Sequence, residues 1–214
     1  MKENIFYKIK HRLNLYRRYT YWKKNNCVFI HVPKVAGTSI NHALYGRTLG
    51  HYSALEIKNK FPTLFNDSFT FSFVRNPWDR LLSAYHFAKQ GRTETMGMRN
   101  SKQYKIPEFD SFESFVLEWL AHKNVDELDF VFQTQSRFLV DVNGELLPDY
   151  IGKLESIDES INYIESKINR KLHISHANKV ERKGTYRSYY ISQKMVDIVH
   201  DKYRSDINLF EYNF

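Results

Sequence analysis

Hydrophobic positions change their spacing several times along the 214-residue chain, and each change predicts a different element. In residues 4 to 24, Ile5, Ile9, Leu13 and Tyr16 recur three or four apart among basic residues, which predicts a helix with a narrow apolar stripe. Val28 to Val32 is a short, almost wholly apolar run that predicts a buried strand, and Pro33 ends it. Helical spacing resumes at Thr38 or Ser39 and continues to about Leu49; residues 53 to 60 predict another short helix. "FTFSFV" (69 to 74) alternates aromatic and small polar residues and predicts a second strand. "NPWDRLLSAYHFAK" follows as a helix with Pro77 in its first turn, where the missing N–H does no harm.

Residues 90 to 108 carry Gly91, Gly97, Pro107 and several cations without periodicity, and predict a long loop that is functional or mobile. An amphipathic helix is expected over 111 to 122 through Phe112, Phe115, Val116 and Trp119. A short helix near Val131 to Phe138 and a turn at Asn143-Gly144 precede "YIGKLES", a third strand. Helices over 156 to 169 and 189 to 204 are separated by a basic loop, "HANKVERKGTYRS". Strands alternating with helices predict an α/β fold around a parallel sheet. With no internal repeat or linker, residues 1–26 read as a basic amphipathic helix and 27–214 as one domain.

The turn between the first strand and its helix concentrates chemistry. A helix N-terminus offers unpaired N–H groups and a positive dipole end. Here Gly37 lets the backbone approach an anion, Lys34 adds a charge, and Thr38 and Ser39 add hydroxyl donors, which suits a phosphate or sulfate. A capped helix beside an incidental lysine is the plainer alternative. A triphosphatase P-loop does not fit, because its lysine follows the last glycine and an acid on a neighbouring strand holds magnesium. Lys34 precedes Gly37, and the neighbouring strand ends in Arg75. Arg75 and Ser83, eight residues further on, could reach a second phosphate at the carboxyl edge of the sheet. For Arg75 the alternative is a salt bridge to Asp79 or Asp110.

Composition narrows the partners. One cysteine, Cys27, excludes a disulfide framework and a cysteine-based zinc site and suits a reducing, cytoplasmic setting. Of the net charge of +8, residues 1 to 24 supply +7, from eight Lys/Arg against Glu3. The nearly neutral remainder argues against a nucleic-acid partner. The basic helix suits peripheral contact with an anionic membrane surface, or packing on the domain with its cations solvated.

"FIHVPKVAGTSI" followed by "FSFVRNPWDRLLSAY" resembles the two cofactor loops of sulfotransferases that use 3′-phosphoadenosine 5′-phosphosulfate (PAPS). The likeness is nearest to the carbohydrate sulfotransferases of the chondroitin, HNK-1 and uronyl 2-O groups and their bacterial relatives. It implies a P-loop-like three-layer fold, a central parallel sheet flanked by helices, over 27–214. It also implies that Lys34, Gly37, Thr38 and Ser39, with Pro33 and Ala36 of the same loop, hold the 5′-phosphosulfate, and that Arg75 and Ser83 hold the 3′-phosphate. No metal is implied, and the acceptor would be a carbohydrate. "QTQSRFL" and "YIGKLESI" resemble later segments of the family, with Thr134 departing from the proline that precedes the glutamine there. Lys183, with Lys179, Arg182 and Tyr186, resembles a late nucleotide-contacting segment.

Sulfuryl transfer to a hydroxyl benefits from a general base. "GHYSALEIK" occupies the place where uronyl 2-O-sulfotransferases keep a histidine-containing segment, so His51 is the first candidate, ahead of His86, His42 and Glu56. Cations at Arg92, Arg99, Lys102 and Lys105 would suit an anionic glycan.

Overall fold

The computed structural model describes residues 5–92, 97, 98, 100–174 and 184–214, with side chains from residue 10 onward. Two compact units build it, each from non-contiguous segments: 1–32, 36–74 and 137–178 form the first, and 33–35, 75–136 and 179–214 the second.

The first unit holds the sheet. Strands β1 (Cys27–Ile30), β2 (Phe69–Val74) and β3 (Tyr150–Lys153) are parallel, in the order β1-β2-β3. Helices flank them: α1 (Ile5–Asn25), α2 (Gly37–Tyr45), α3 (Ala54–Lys60), α4 (Pro62–Asp67) and α7 (Ile157–Ile168). This is the predicted α/β architecture. Burial on both faces explains why β1 reads as a continuous apolar run. In β2 the small polar residues are buried as well. Ser72 donates to the Ile30 carbonyl at 2.7 Å, and Thr70 donates to Asp149 through both N–H (2.7 Å) and hydroxyl (2.8 Å). Each buried hydroxyl thus has a partner, as burial requires.

Several boundaries differ from the sequence reading. Strand β1 ends at Ile30, short of Pro33, and α2 begins at Gly37 and stops at Tyr45, because Gly46 closes it in the left-handed conformation (φ 73°). Helix α4 escaped notice, since Pro62 at its first turn and Asn66-Asp67 near its end look like loop chemistry. Residues 53 to 60 form α3 as expected, with Ser53 and Glu56 in a reciprocal capping box.

The second unit is built on α5 (Pro77–Gln90) and an aromatic core. Asn76 caps α5 by accepting from the Trp78 N–H at 3.1 Å. Tyr85, Phe109, Phe115 and Trp119 pack with ring centroids 5.0–6.0 Å apart along successive contacts. The helix predicted over 111 to 122 starts as α6 (Phe112–Ser114), widens to a π-helical stretch over Phe115–Trp119, and tightens to a 3-10 turn at Leu120–His122. The described end of the 90–108 loop is anchored: Tyr104 and Phe109 are buried, and the Tyr104 hydroxyl donates to Asp129 at 2.6 Å. The C-terminal segment forms α8 (Gln193–Lys202) and α9 (Arg204–Phe210), so the helix expected to begin at 189 begins four residues later. Among the described residues, no helix is long and apolar enough to cross a membrane.

Candidate active site

Immediately before α2 the backbone does something only a special loop does. Lys34 (φ 69°) and Ala36 (φ 61°) both adopt the left-handed conformation, with the buried Val35 between them. A left-handed L-residue costs roughly 1–2 kcal/mol, and neither lysine nor alanine has the short polar side chain that softens the cost. Alternating left-handed residues turn successive N–H groups to one side, forming a concavity for anions. Ala36 is the N-cap of α2 and gives no side-chain cap, so the dipole end is closed by neither serine nor threonine at that position. The plain capped-helix alternative does not hold at residue 36. Thr38 and Ser39 follow in the first turn, both buried.

In the first unit, Gly37 has a steric reason to be glycine that the sequence reading did not include. A Cβ built there would stand 2.0 Å from Cδ2 and 2.1 Å from Nε2 of His31. His31, only 4% exposed, is held in place by Asn41, whose Nδ2 donates to its Nδ1 at 3.2 Å and to the Gly37 carbonyl at 2.8 Å. His51 stacks on His31, with centroids 4.1 Å apart, and its Nδ1 bonds the His31 carbonyl at 2.8 Å. Since a carbonyl only accepts, Nδ1 carries the proton, and in the neutral ring Nε2 keeps the lone pair. That is the tautomer a general base needs. Of the other candidates, Glu56 is spent on structure: it accepts from the Ser53 N–H at 2.8 Å and faces His11 at 2.9 Å. His42 is exposed in the last turn of α2, and His86 packs between Tyr85 and Tyr189 in the second unit.

In the second unit, one stripe of α5 organises the remaining cations. Asp79, Ser83 and Phe87 are spaced i, i+4, i+8 and therefore share a face, about 12 Å from end to end. At one end Arg75 pairs with Asp79 at 2.7 Å, and at the other the Lys34 ammonium sits 4.3 Å from the centroid of Phe87. Half-buried Ser83 lies between them. The predicted Arg75–Asp79 salt bridge is therefore real, but it leaves the guanidinium in reach of the loop: Nη1 donates to the Lys34 carbonyl at 3.2 Å. Pro33 is buried, and its carbonyl accepts from Arg80 Nε at 3.0 Å.

Two residues here, Arg80 and Asp206, were missed in the sequence, and Gln135 appeared there only through the resemblance. Arg80, 1% exposed, ties Pro33 to the carbonyl of Gln133 (2.8 Å); burial pushes its guanidinium pKa down. In sequence it looked like any helix arginine; its apolar neighbours Leu81 and Leu82 were the available signal. Gln135 is fully buried and clasps the backbone of Arg75, accepting its N–H and donating to its carbonyl, both at 2.9 Å. Asp206 in turn accepts from the N–H groups of Gln135 (2.7 Å) and Ser136 (2.8 Å). Thr134, where the family pattern has proline, is accommodated by Asp126, to which its N–H and hydroxyl donate at 3.0 and 2.8 Å. The departure therefore does not cost Gln135 its place. Lys179, Arg182, Lys183 and Arg99 lie outside the described residues.

A cavity of about 590 Å³ in the second unit is lined by residues such as His122, Asp126, Asp201 and Ser205 and by no residue of either loop.

Fold and loops together define a class: an α/β protein that presents a strained, cation-bearing turn after β1 and an arginine after β2. Residues 17–213 match the sulfotransferase family, and the chain belongs to it. No curated protein and no solved structure matches the chain. Its chemistry is accordingly that of a transferase moving a sulfuryl group from a sulfonate donor.

Proposed function

We propose that the chain transfers a sulfuryl group from PAPS to a hydroxyl of a carbohydrate acceptor. The observation that carries this reading is the left-handed pair Lys34 and Ala36 ahead of an N-terminus without a side-chain cap, a strained anion concavity with a lysine in it. The residues fit an anionic donor. Backbone N–H groups of 36 to 39 and the Thr38 and Ser39 hydroxyls would hold the 5′-phosphosulfate, while Arg75 and Ser83 would hold the 3′-phosphate. When bound, PAPS supplies the activated sulfuryl group.

Lys34 would supply the cation that offsets negative charge on the donor's leaving phosphate. Fixed cations and amides are worth most at such a point because they need no reorganisation. Phe87 beneath the ammonium limits its motion. His51 takes the acceptor hydroxyl proton at Nε2, and the resulting imidazolium is held by the Nδ1–H bond to the His31 carbonyl. Gln135 and Asp206 fix the backbone that carries Arg75. The exposed cations Arg92, Lys102 and Lys105 favour an anionic glycan as acceptor.

Incubation with ³⁵S-labelled PAPS and a panel of saccharides tests the proposal, with calorimetry of 3′,5′-ADP binding beside it. Labelled saccharide with release of 3′,5′-ADP is the expected result. Failure to bind 3′,5′-ADP overturns the donor assignment. Binding without transfer to any acceptor indicates a non-catalytic nucleotide-binding protein, and magnesium-dependent ATP turnover a kinase.

A further inference from the structure

Helix α1 divides its residues between two faces in a way the apolar stripe did not foretell. The face turned toward the first unit is His11, Leu15, Arg18 and Trp22. His11 bonds Glu56 at 2.9 Å, Arg18 Nε donates to the Leu49 carbonyl at 2.8 Å, and Leu15 and Trp22 are buried. The stripe lies elsewhere: Leu13 is 55% and Tyr16 51% exposed, while the side chains of Ile5 and Ile9 lie outside the described set.

At 100° per residue, Leu13, Tyr16 and Thr20 form the middle of the outward face. Arg12 and Lys23 run along one side of it, and Lys10, Arg17 and Lys24 along the other, all exposed. Lys60 adds its ammonium 4.4 Å from the centroid of Tyr16. No acid occurs between Ile5 and Asn25. From this surface we propose that α1, while packed on the first unit, seats its outward face on an anionic lipid bilayer.

Two features select a bilayer over other anionic partners. A nucleic acid or acidic polysaccharide would meet the two rows of cations but leave Leu13 and Tyr16 in water. A bilayer accepts both, with the aliphatic and aromatic side chains entering the headgroup boundary and the long cations lying against the phosphates. Packing on the fold and binding a surface are therefore not alternatives here: His11, Leu15, Arg18 and Trp22 serve the first, Leu13 and the cation rows the second, and Tyr16, edge-on to Phe61 at 5.6 Å yet half exposed, lies at the border. The surface is independent of the sulfotransferase chemistry.

The full chain is tested by sedimentation with phosphatidylcholine vesicles, with and without phosphatidylglycerol, at low and high salt. Binding is expected only to phosphatidylglycerol-containing vesicles and is released by salt. Each cation near such a surface is worth about fivefold in partitioning, so Arg12→Gln/Arg17→Gln/Lys24→Gln lowers it on the order of 100-fold. Leu13→Ser/Tyr16→Ser lowers it roughly tenfold with unchanged far-UV circular dichroism, and Leu13→Ser alone, at a side chain 55% exposed, lowers it about threefold with unchanged melting temperature; Tyr16 also meets Phe61 edge-on at 5.6 Å, so the double variant melts slightly lower. A positive signal comes from Leu13→Cys carrying an environment-sensitive fluorophore, which shifts to the blue on the vesicles. No binding at low salt, equal binding to neutral vesicles, or an apolar double variant that binds like the parent overturns the proposal. So does binding to heparin without binding to anionic vesicles.

Discussion

The contact between Gly37 and His31 allows a worked prediction. Gly37→Ala would place a methyl carbon 2.0 Å from the His31 ring, where carbon atoms ordinarily meet at about 3.5–4.0 Å. The ring must retreat by roughly 1.5–2 Å to restore contact. It has little room: His51 stacks on it at 4.1 Å, Phe29 lies at 5.7 Å, and Asn41 bonds its Nδ1. Overpacking of this kind costs about 1–3 kcal/mol, and losing the Asn41 bond adds about 1 kcal/mol. A loss of about 2–4 kcal/mol corresponds to a fall in melting temperature of roughly 4–16 °C for a chain of this length. A double-mutant cycle by urea unfolding gives the decisive comparison. In a His31→Ala background, whose own cost is that of a lost buried ring, Gly37→Ala should cost under about 1 kcal/mol, a coupling of at least about 1 kcal/mol. Equal costs in the two backgrounds would refute the steric account and with it the link from the turn to His51.

Further outcomes follow from the geometry of the site and of Cys27. Lys34→Ala should lower kcat on the order of 10²-fold or more, and near-normal turnover would remove Lys34 from the leaving-group role. Arg75→Ala should weaken 3′,5′-ADP binding by about 2–4 kcal/mol in calorimetry, whereas Gln135→Ala should destabilise the fold by about 2 kcal/mol through two orphaned backbone groups and weaken binding indirectly. Burial pushes the Cys27 thiol up to about 11, against the opposing Tyr45 hydroxyl bond and Arg170 charge, so thiol reagents at pH 8 should react only after unfolding. Because the unfolded thiol ionises first, Cys27's contribution to stability is complete below pH 9.0 and is lost as the pH rises toward 11; a Cys27→Ala variant should lack that alkaline decline.

Local chemistry was legible wherever the chain writes it within a few residues. The strand-turn-helix at 27 to 45, the Pro77 helix start and the short helix over 53 to 60 all rest on short-range signals. What could not be read are partners distant in sequence. Nothing local says that Asp206 answers Gln135 across 71 residues, or that Arg80 holds Pro33 across 47. His31 was passed over because a polar residue at a strand end is ordinary; its significance lies in the missing Cβ of Gly37, which sequence shows only as a turn signal. The amphipathic stripe of α1 left its placement open for a related reason. Arg18 donates to a backbone carbonyl from the packed face, so hydropathy alone left open whether the stripe or its opposite side meets the fold.

The position of β3 has a consequence for how the chain is made. β2 is the central strand, with β1 on one edge and β3 on the other, yet β3 begins at Tyr150 while β2 ends at Val74. A ribosome adding 5–20 residues per second needs roughly 4–15 s to deliver β3 after β2. Throughout that interval the edge of "FTFSFV", rich in phenylalanine and free of charge, has no native partner and is a template for the same strand on a neighbouring nascent chain. Asp149, one residue before β3, receives both the N–H and the hydroxyl of Thr70, and Thr70 receives the Asp149 N–H at 2.9 Å. That clasp sets the register of the late strand as it arrives. Asp149→Ala should therefore reduce soluble yield on rapid overexpression more than it lowers the melting temperature of the protein that does fold, and slower synthesis in the cold should restore the yield.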